Sequence, residues 1–381
     1  MRNTTPTHPH AADAASAWPA TPQEPRAYDQ ETAAFGPPGP GRHARHTLTD
    51  TEPHIPAPVL AAAAGIRKAM IVPVVTAMAI GTVFVAVYLA AFHAPTPHHQ
   101  PLGISADDQV AARTELALNT MASDAYVFHR YPSADAARDA IAHDQVPAAL
   151  IAHGHRLVLL AAGAQGPSTV SSLQAAATHA VGRPVAVEDV VPLVPGDARG
   201  LSVFYASFGV VLAGFLFSVA SYQIAPRLAL TARMASMAVF AAASGVMVAL
   251  IGHQMLDALP ASFVTVAAIV SLLAMVTAAA AGVLLRICGP LGMPVASVVL
   301  LIFGNATSGG ILPPEFLPPW LSPLSHVMPP AAAVRALRTA GYFHSAHVTS
   351  AVLVLIAWTL GCLVIQLALD FSAGRREPTA A

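Results

Sequence analysis

Residues 70–92 read MIVPVVTAMAIGTVFVAVYLAAF, with Gly65-Ile66-Arg67-Lys68 before them and His93-Ala94-Pro95-Thr96-Pro97 after. The run carries no charged side chain, and at about 1.5 Å per residue it crosses a hydrocarbon layer about 30 Å thick as one helix. It is also longer than the apolar core of a cleavable signal peptide. Arg67 and Lys68 mark a cytoplasmic end, so the chain before the run is expected inside and the chain after it exported.

Further apolar runs lie at 201–222, 234–252, 263–285, 293–311 and 348–369. The sequence therefore predicts an α-helical integral membrane protein with about six transmembrane helices, one before an exported segment and five after it. Arg227, Arg233, Arg286, Arg375 and Arg376 all fall on the side that a cytoplasmic N-terminus assigns to the cytoplasm. Both termini are accordingly expected inside a multi-pass inner (plasma) membrane protein. Composition agrees, because 55% of the residues are hydrophobic and only 10% are charged, against roughly a quarter charged in soluble domains.

The plan that follows is a disordered cytoplasmic tail over 1–62, a first span at 67–93, an extracytoplasmic α/β domain over 94–200, a five-helix membrane domain over 201–371 and a short tail at 372–381. The first tail is rich in Pro, His, Ala, Thr and Gly without apolar periodicity, which leaves nothing to offset the entropy of ordering. In the exported region Tyr126-Val127-Phe128 reads as a strand, and Ser133-Ala134-Asp135 as a capped helix start running through Ile141. Val146 to Ala152 and Arg156 to Ala161 read as strands paired across a turn at His153-Gly154-His155, Pro167 to Val181 as a helix and Pro184 to Val194 as β-rich.

Several function classes find no support. Lys68 is the only lysine and lies in no glycine-rich loop, so no Walker motif is present and any ATP hydrolysis belongs to another chain. With net charge −1 and no basic face, nucleic acid is not an expected partner. His129, His143, His153, His155 and His179 fall in no HExxH pattern, and the tail histidines are irregularly spaced, so neither a metal nor a cofactor is expected. Cys288 and Cys362 sit in or beside apolar runs as small packing groups. None of the spans centres an ionisable residue of the kind a proton relay uses. Ser168, Ser171 and Ser172 lie near histidines without forming a triad pattern, so no catalytic residue is assigned and the chain reads as a non-enzyme. Within the spans, Gly209 with Ala213, Gly214 with Ser218, and Ser244-Gly245 suit close helix packing, inside one subunit or between two.

Between the last two runs the chain reads GNATSGGILPPEFLPPWLSPLSHVMPP over residues 304–330 and continues through Ala331 to Phe343. Polar, glycine-rich backbone at the end of a span is tolerated only where protein buries it or it lines a cavity, so 304–343 reads as a re-entrant or interfacial element. The prolines block a continuous helix, Phe316 and Trp320 suit the interface, and Pro329-Pro330 opens a short helix. On that helix Arg335, Arg338 and Tyr342 share one face, directed at lipid headgroups or at an anionic substrate, with Val334 and Leu337 on the other.

The Ser-Gly-Gly turn, the Pro-x-x-x-Pro-x-Trp stretch and the Pro-initiated helix ending in Ala-Leu-Arg resemble the extracellular signature of type-2 ABC exporter permeases, closest to the phage-infection-protein branch. Asp197-Ala198-Arg199-Gly200 before the second span and the one-plus-five arrangement resemble that family too. The resemblance implies a six-helix subunit that pairs with a second copy and, with a cytosolic ATPase, moves a hydrophobic or amphipathic compound outward. It makes Asn305, Ser308, Gly309, Gly310, Pro314, Glu315, Pro318, Arg335, Arg338 and Tyr342 the transport or gating positions. The connection from Ile224 to Arg233 is short for a helix that docks on an ATPase. The alternative is a membrane scaffold or receptor acting through its exported domain, and lipid is a partner in either case.

Overall fold

The structure, a computed structural model, describes residues 57–153, 156–344 and 348–374. The tail reading over 1–56, the turn residues Gly154 and His155, and Arg375 and Arg376 lie outside the described residues. The chain is mostly helical, and among the described residues five helical stretches are long and apolar enough to cross a membrane: Ala69–Phe92, Ser202–Ile224, Leu230–Met255, Phe263–Ala306 and Val348–Ser372. It has the build of a helical membrane protein. The first of these belongs to α1 (Ala57–Phe92), which starts ahead of the boundary at 62 that composition suggested.

Between α1 and the next long helix the chain forms β1 (Gln100–Ser105), α2 (Asp108–Met121), β2 (Tyr126–Arg130), α3 (Ala134–Ala142), β3 (Ala148–His153), β4 (Arg156–Ala161), α4 (Pro167–Val181) and β5 (Ala186–Asp189). The sheet order is β2-β1-β3-β4-β5, with β3 and β4 antiparallel and the other neighbours parallel. Ser133 caps α3 by accepting from the Ala136 N–H at 3.1 Å, as its place ahead of an early acid predicts. Alternation along β3 and β4 feeds two cores, Leu150 and Leu159 on one face with Leu102, Leu118 and Leu173, and Ile151 and Leu160 on the other with Ile141.

Strand β1 and helix α2 carry no clear sequence signal, because Pro101 and Gly103 interrupt the apolar pattern. The proline is tolerated because β3 joins β1 only from Gly103 onward, leaving Pro101 paired on the β2 side alone. Gly103 is held by proximity, since a Cβ there would lie 2.7 Å from that of Ala149.

Beyond the sheet come α5 (Ser202–Ile224), α6 (Leu230–Val248), which continues as a π-helical stretch over Ala249–Met255, and α7 (Phe263–Cys288). Asp197 fixes the start of α5, its Oδ1 accepting from the Leu201 and Ser202 N–H groups at 3.0 and 3.2 Å. Helix α7 is the centre of the bundle and is buried along most of its length. Close approach to its neighbours rests on small residues: Gly214 of α5 faces Thr277, and a Cβ at Gly245 of α6 would lie 2.1 Å from Ser271 Oγ. Ser218 Oγ donates to the Ala278 carbonyl oxygen across the same seam. Gly209 faces open space.

The two apolar runs at 263–285 and 293–311 fall within one helical stretch, Phe263–Ala306. It breaks at Gly289, whose φ of 54° belongs to the left-handed region. Beyond the break come α8 (Gly292–Ala296), a π-helical stretch over Ser297–Phe303 and α9 (Gly304–Ala306). Gly292 lies against the backbone of Leu284 and Leu285, and Leu300 shares a buried cluster with Ala278, so the chain doubles back here. The helix ends at Ala306, short of the Ile311 that hydropathy suggested. Two short pieces follow, a 3-10 turn at Pro314–Phe316 and α10 (Leu324–Val327), then α11 (Pro329–Tyr342) and α12 (Val348–Gly374). Helix α11 is buried among α5, α7 and α12, which rules out its reading as a helix lying with an open face on the membrane surface. Its last neighbour, Phe343, is 1% exposed and completes the sheet core around Ile141, so the membrane helices and the sheet share a packed seam.

Candidate binding cavity

The end of the doubled-back stretch is polar and buried, and its side chains bond mostly to their own backbone. Asn305 Nδ2 donates to the Leu301 carbonyl oxygen at 3.0 Å and Thr307 Oγ1 to that of Phe303 at 2.7 Å. Ser308 Oγ accepts from the Gly310 N–H at 3.3 Å, and Gly309 turns the chain with a φ of 73°. Gly310 then passes so close to α5 that a Cβ there would lie 2.5 Å from the Phe204 ring and 2.6 Å from Phe204 Cβ. Past this turn, Phe316, Leu317 and Leu321 bury themselves, the last two against Val87 and Ala91 of α1.

Helix α11 closes over the turn. Arg338 donates Nη1 to the Gly309 carbonyl oxygen at 3.1 Å and Nη2 to that of Gly310 at 3.5 Å. One turn earlier Arg335 donates Nη1 to the Ser325 carbonyl oxygen at 3.2 Å. Among the described residues no carboxylate forms an ion pair with either guanidinium.

A cavity of about 500 Å³ lies along the seam between the sheet region and α11. Six of the ten positions expected from sequence line it: Ser308, Gly309, Pro314, Glu315, Arg335 and Arg338. The other four do not. Asn305 is tied back into its helix, Gly310 packs on Phe204, and Pro318 starts the turn that its carbonyl oxygen closes with the Leu321 N–H. Tyr342 packs beside the sheet core, its Oη accepting from the Val194 N–H at 3.5 Å, so the expected three-residue face divides at its last member. Val334, expected on the opposite face, also lines the cavity.

The far wall was not legible in the sequence. Gln100 comes from β1, Asp144 from the turn after α3, and Gln165 from the turn before α4. Gln165 Nε2 bonds Asp144 Oδ1, and Asp144 holds a φ of 58°, a conformation that Asp accepts more readily than most residues. No local pattern marks these residues, since only the sheet's position over the membrane helices brings them to Arg335. His326 of α10 joins the lining beside Glu315.

Burial sets the charge balance of this wall. It raises the Glu315 carboxyl above its usual range, with the Asp144 charge pushing the same way and His326 opposing. It lowers both arginines, against the attraction of Asp144.

No family model, curated protein or solved structure matches the chain. Among the described residues no group of three His, Cys, Asp or Glu side chains stands together to hold a metal ion. The reading of this site therefore rests on its own chemistry: two partly buried guanidinium groups, one carboxylate beside them, a carboxyl that burial biases toward the neutral form, and amide and hydroxyl groups around them. Val334 of α11 and Val354 of α12 add an apolar side. A space of this size with a few convergent polar groups suits one small molecule or the headgroup of a larger one.

Proposed function

We propose that this chain is a permease-type subunit of the plasma membrane that takes part, with a separate ATPase, in exporting a hydrophobic or amphipathic compound. In this reading the doubled-back stretch at Gly289 makes two crossings, giving six spans, both termini face the cytoplasm, and the sheet region is an extracytoplasmic domain. It is a non-enzymatic member of the type-2 ABC exporter permeases, working as a pair of subunits. The observation that carries it is the cavity at the seam, with Arg335 and Arg338 on one wall and candidate membrane-span residue Val354 on another. Purification of the full chain in mild detergent, followed by mass spectrometry of what accompanies it, tests the proposal. An ATPase in the complex, and an efflux defect when the chain is deleted, are expected; absence of both would end this reading.

A second reading, a scaffold or receptor acting through the sheet region, is favoured by the connection from α5 to α6. Helix α5 ends at Ile224 and α6 begins at Leu230, with no helix between them to dock on an ATPase. Arg233 clamps this turn, donating Nη1 to Ser221 Oγ and Nη2 to the Ala225 carbonyl oxygen, both at 2.6 Å, while its guanidinium stacks 3.9 Å above the Tyr222 ring. Removing residues 100–195 abolishes function in this second reading, whereas substitution at Gly309 leaves it unchanged.

A further inference from the structure

The cavity holds two unmet demands of opposite kind. Gln100 is 2% exposed, lines the cavity, and has a buried Oε1 without a hydrogen-bond partner among the described residues. Leaving a buried acceptor empty is unfavourable, so the site is built to receive a donor hydrogen. On the α11 wall, Arg335 uses one N–H on Ser325 and has no carboxylate within ion-pair distance among the described residues. A half-buried guanidinium in that position is built to receive an anion.

Among the described residues Gln100 and Arg335 make no hydrogen bond to each other. Asp144 lies near enough to act on Arg335, Arg338 and Glu315 but bonds to Gln165. Arg338 is committed to the Gly309 and Gly310 carbonyl oxygens, so it contributes charge to the site while Arg335 contributes open N–H groups. Ala331, Val334 and Val354 line the same space from α11 and α12 and give it an apolar side that suits an alkyl chain.

We propose that the cavity binds the headgroup of an amphipathic organic anion, its phosphate or carboxylate held by Arg335 in the field of Arg338 and its hydroxyl or ammonium hydrogen accepted by Gln100 Oε1. The proposal deepens the reading of the cavity as a recognition site and needs neither an ATPase nor net transport.

The test is binding to the purified full chain in detergent, read by native mass spectrometry and by competition. The probes are dioctanoyl phosphatidic acid, dioctanoylglycerol, octanoate and inorganic phosphate. Phosphatidic acid, which joins an anion to two alkyl chains, is expected to bind at least about tenfold more tightly than dioctanoylglycerol, because only it offers the guanidinium a charged acceptor. Inorganic phosphate is expected to compete only weakly, and octanoate to compete less well than phosphatidic acid. Arg335→Gln is expected to lose that preference, Arg335→Lys to keep most of it, and Gln100→Leu to weaken binding several-fold with the thermal midpoint unchanged or raised.

Equal binding of dioctanoylglycerol overturns the anion assignment, and inorganic phosphate competing as well as the lipid overturns the amphipathic one. If Arg335→Gln fails to fold, the comparison of phosphatidic acid with dioctanoylglycerol on the unaltered chain still decides. Binding with neither an ATPase partner nor an efflux defect removes the transport reading alone, whereas an ATPase partner without anion preference removes this proposal alone.

Discussion

Arg338 and Gly309 are joined by a hydrogen bond of 3.1 Å from the guanidinium Nη1 to the glycine carbonyl oxygen, which fastens α11 to the glycine turn that floors the cavity. A hydrogen bond from a charged donor to a partly buried carbonyl contributes about 1.5–3 kcal/mol. Arg338→Ala is therefore expected to lower the thermal midpoint of the purified protein markedly. Arg338→Lys, with a single point charge in place of a planar fork, should recover only part of the loss. A midpoint unmoved by Arg338→Ala would show that the fork bears no load.

The two adjacent glycines respond to different constraints. At Gly310 a Cβ would collide with Phe204, including its Cβ, which cannot swing aside. Gly310→Ala is accordingly expected to cost about 1–3 kcal/mol through overpacking. Gly309 has room but a φ of 73°, so Gly309→Ala should cost about 1 kcal/mol and Gly309→Asn less. Denaturation midpoints of the three variants order them directly.

Asp197 accepts from two N–H groups at the start of α5 and is 6% exposed. Its replacement by Ala should cost about 1–2 kcal/mol, as the loss of a capping side chain does, with Asn retaining most of the stability. Hydrogen exchange at Leu201 and Ser202 should accelerate in the Ala variant before the rest of the helix responds.

Glu315 supplies a pH dependence of defined sign. Burial raises its carboxyl, so over the interval between the ordinary carboxyl value and the raised one the folded protein holds a proton that the unfolded chain has lost. Stability from this group is thus complete at acidic pH and falls as pH rises through that interval. Glu315→Gln should flatten this decline and raise the thermal midpoint near neutral pH. A steeper decline in the variant would contradict the assignment.

The legibility of this chain followed the range of its signals. Ser133, the strands on either side of Gly154, and the helix from Pro167 to Val181 were readable because caps, turns and proline starts act within a few residues. Strand β1 escaped because its fitness for the sheet depends on partners, Ala149 beside Gly103 and an unpaired edge beside Pro101, which the chain supplies only after folding. Hydropathy divided 263–311 into two runs by its dip around Gly289, where the helix breaks, but that the second run folds back along the first rests on contacts such as Leu300 with Ala278 that no local pattern records.

The sequence by itself determined that this chain is apolar enough to live in a membrane, where the apolar runs lie, and that Arg335 and Arg338 are set at helical spacing after Pro329-Pro330. Hydropathy and helical periodicity are local sums, so they survive without knowledge of the fold. Tertiary structure alone decided that α11 is buried, that Tyr342 parts from the two arginines, and that Gln100, Asp144 and Gln165 face them across a cavity. A cavity exists only between surfaces, and its two walls here come from stretches far apart in the chain, joined by the packing of Phe343 into the core of the sheet.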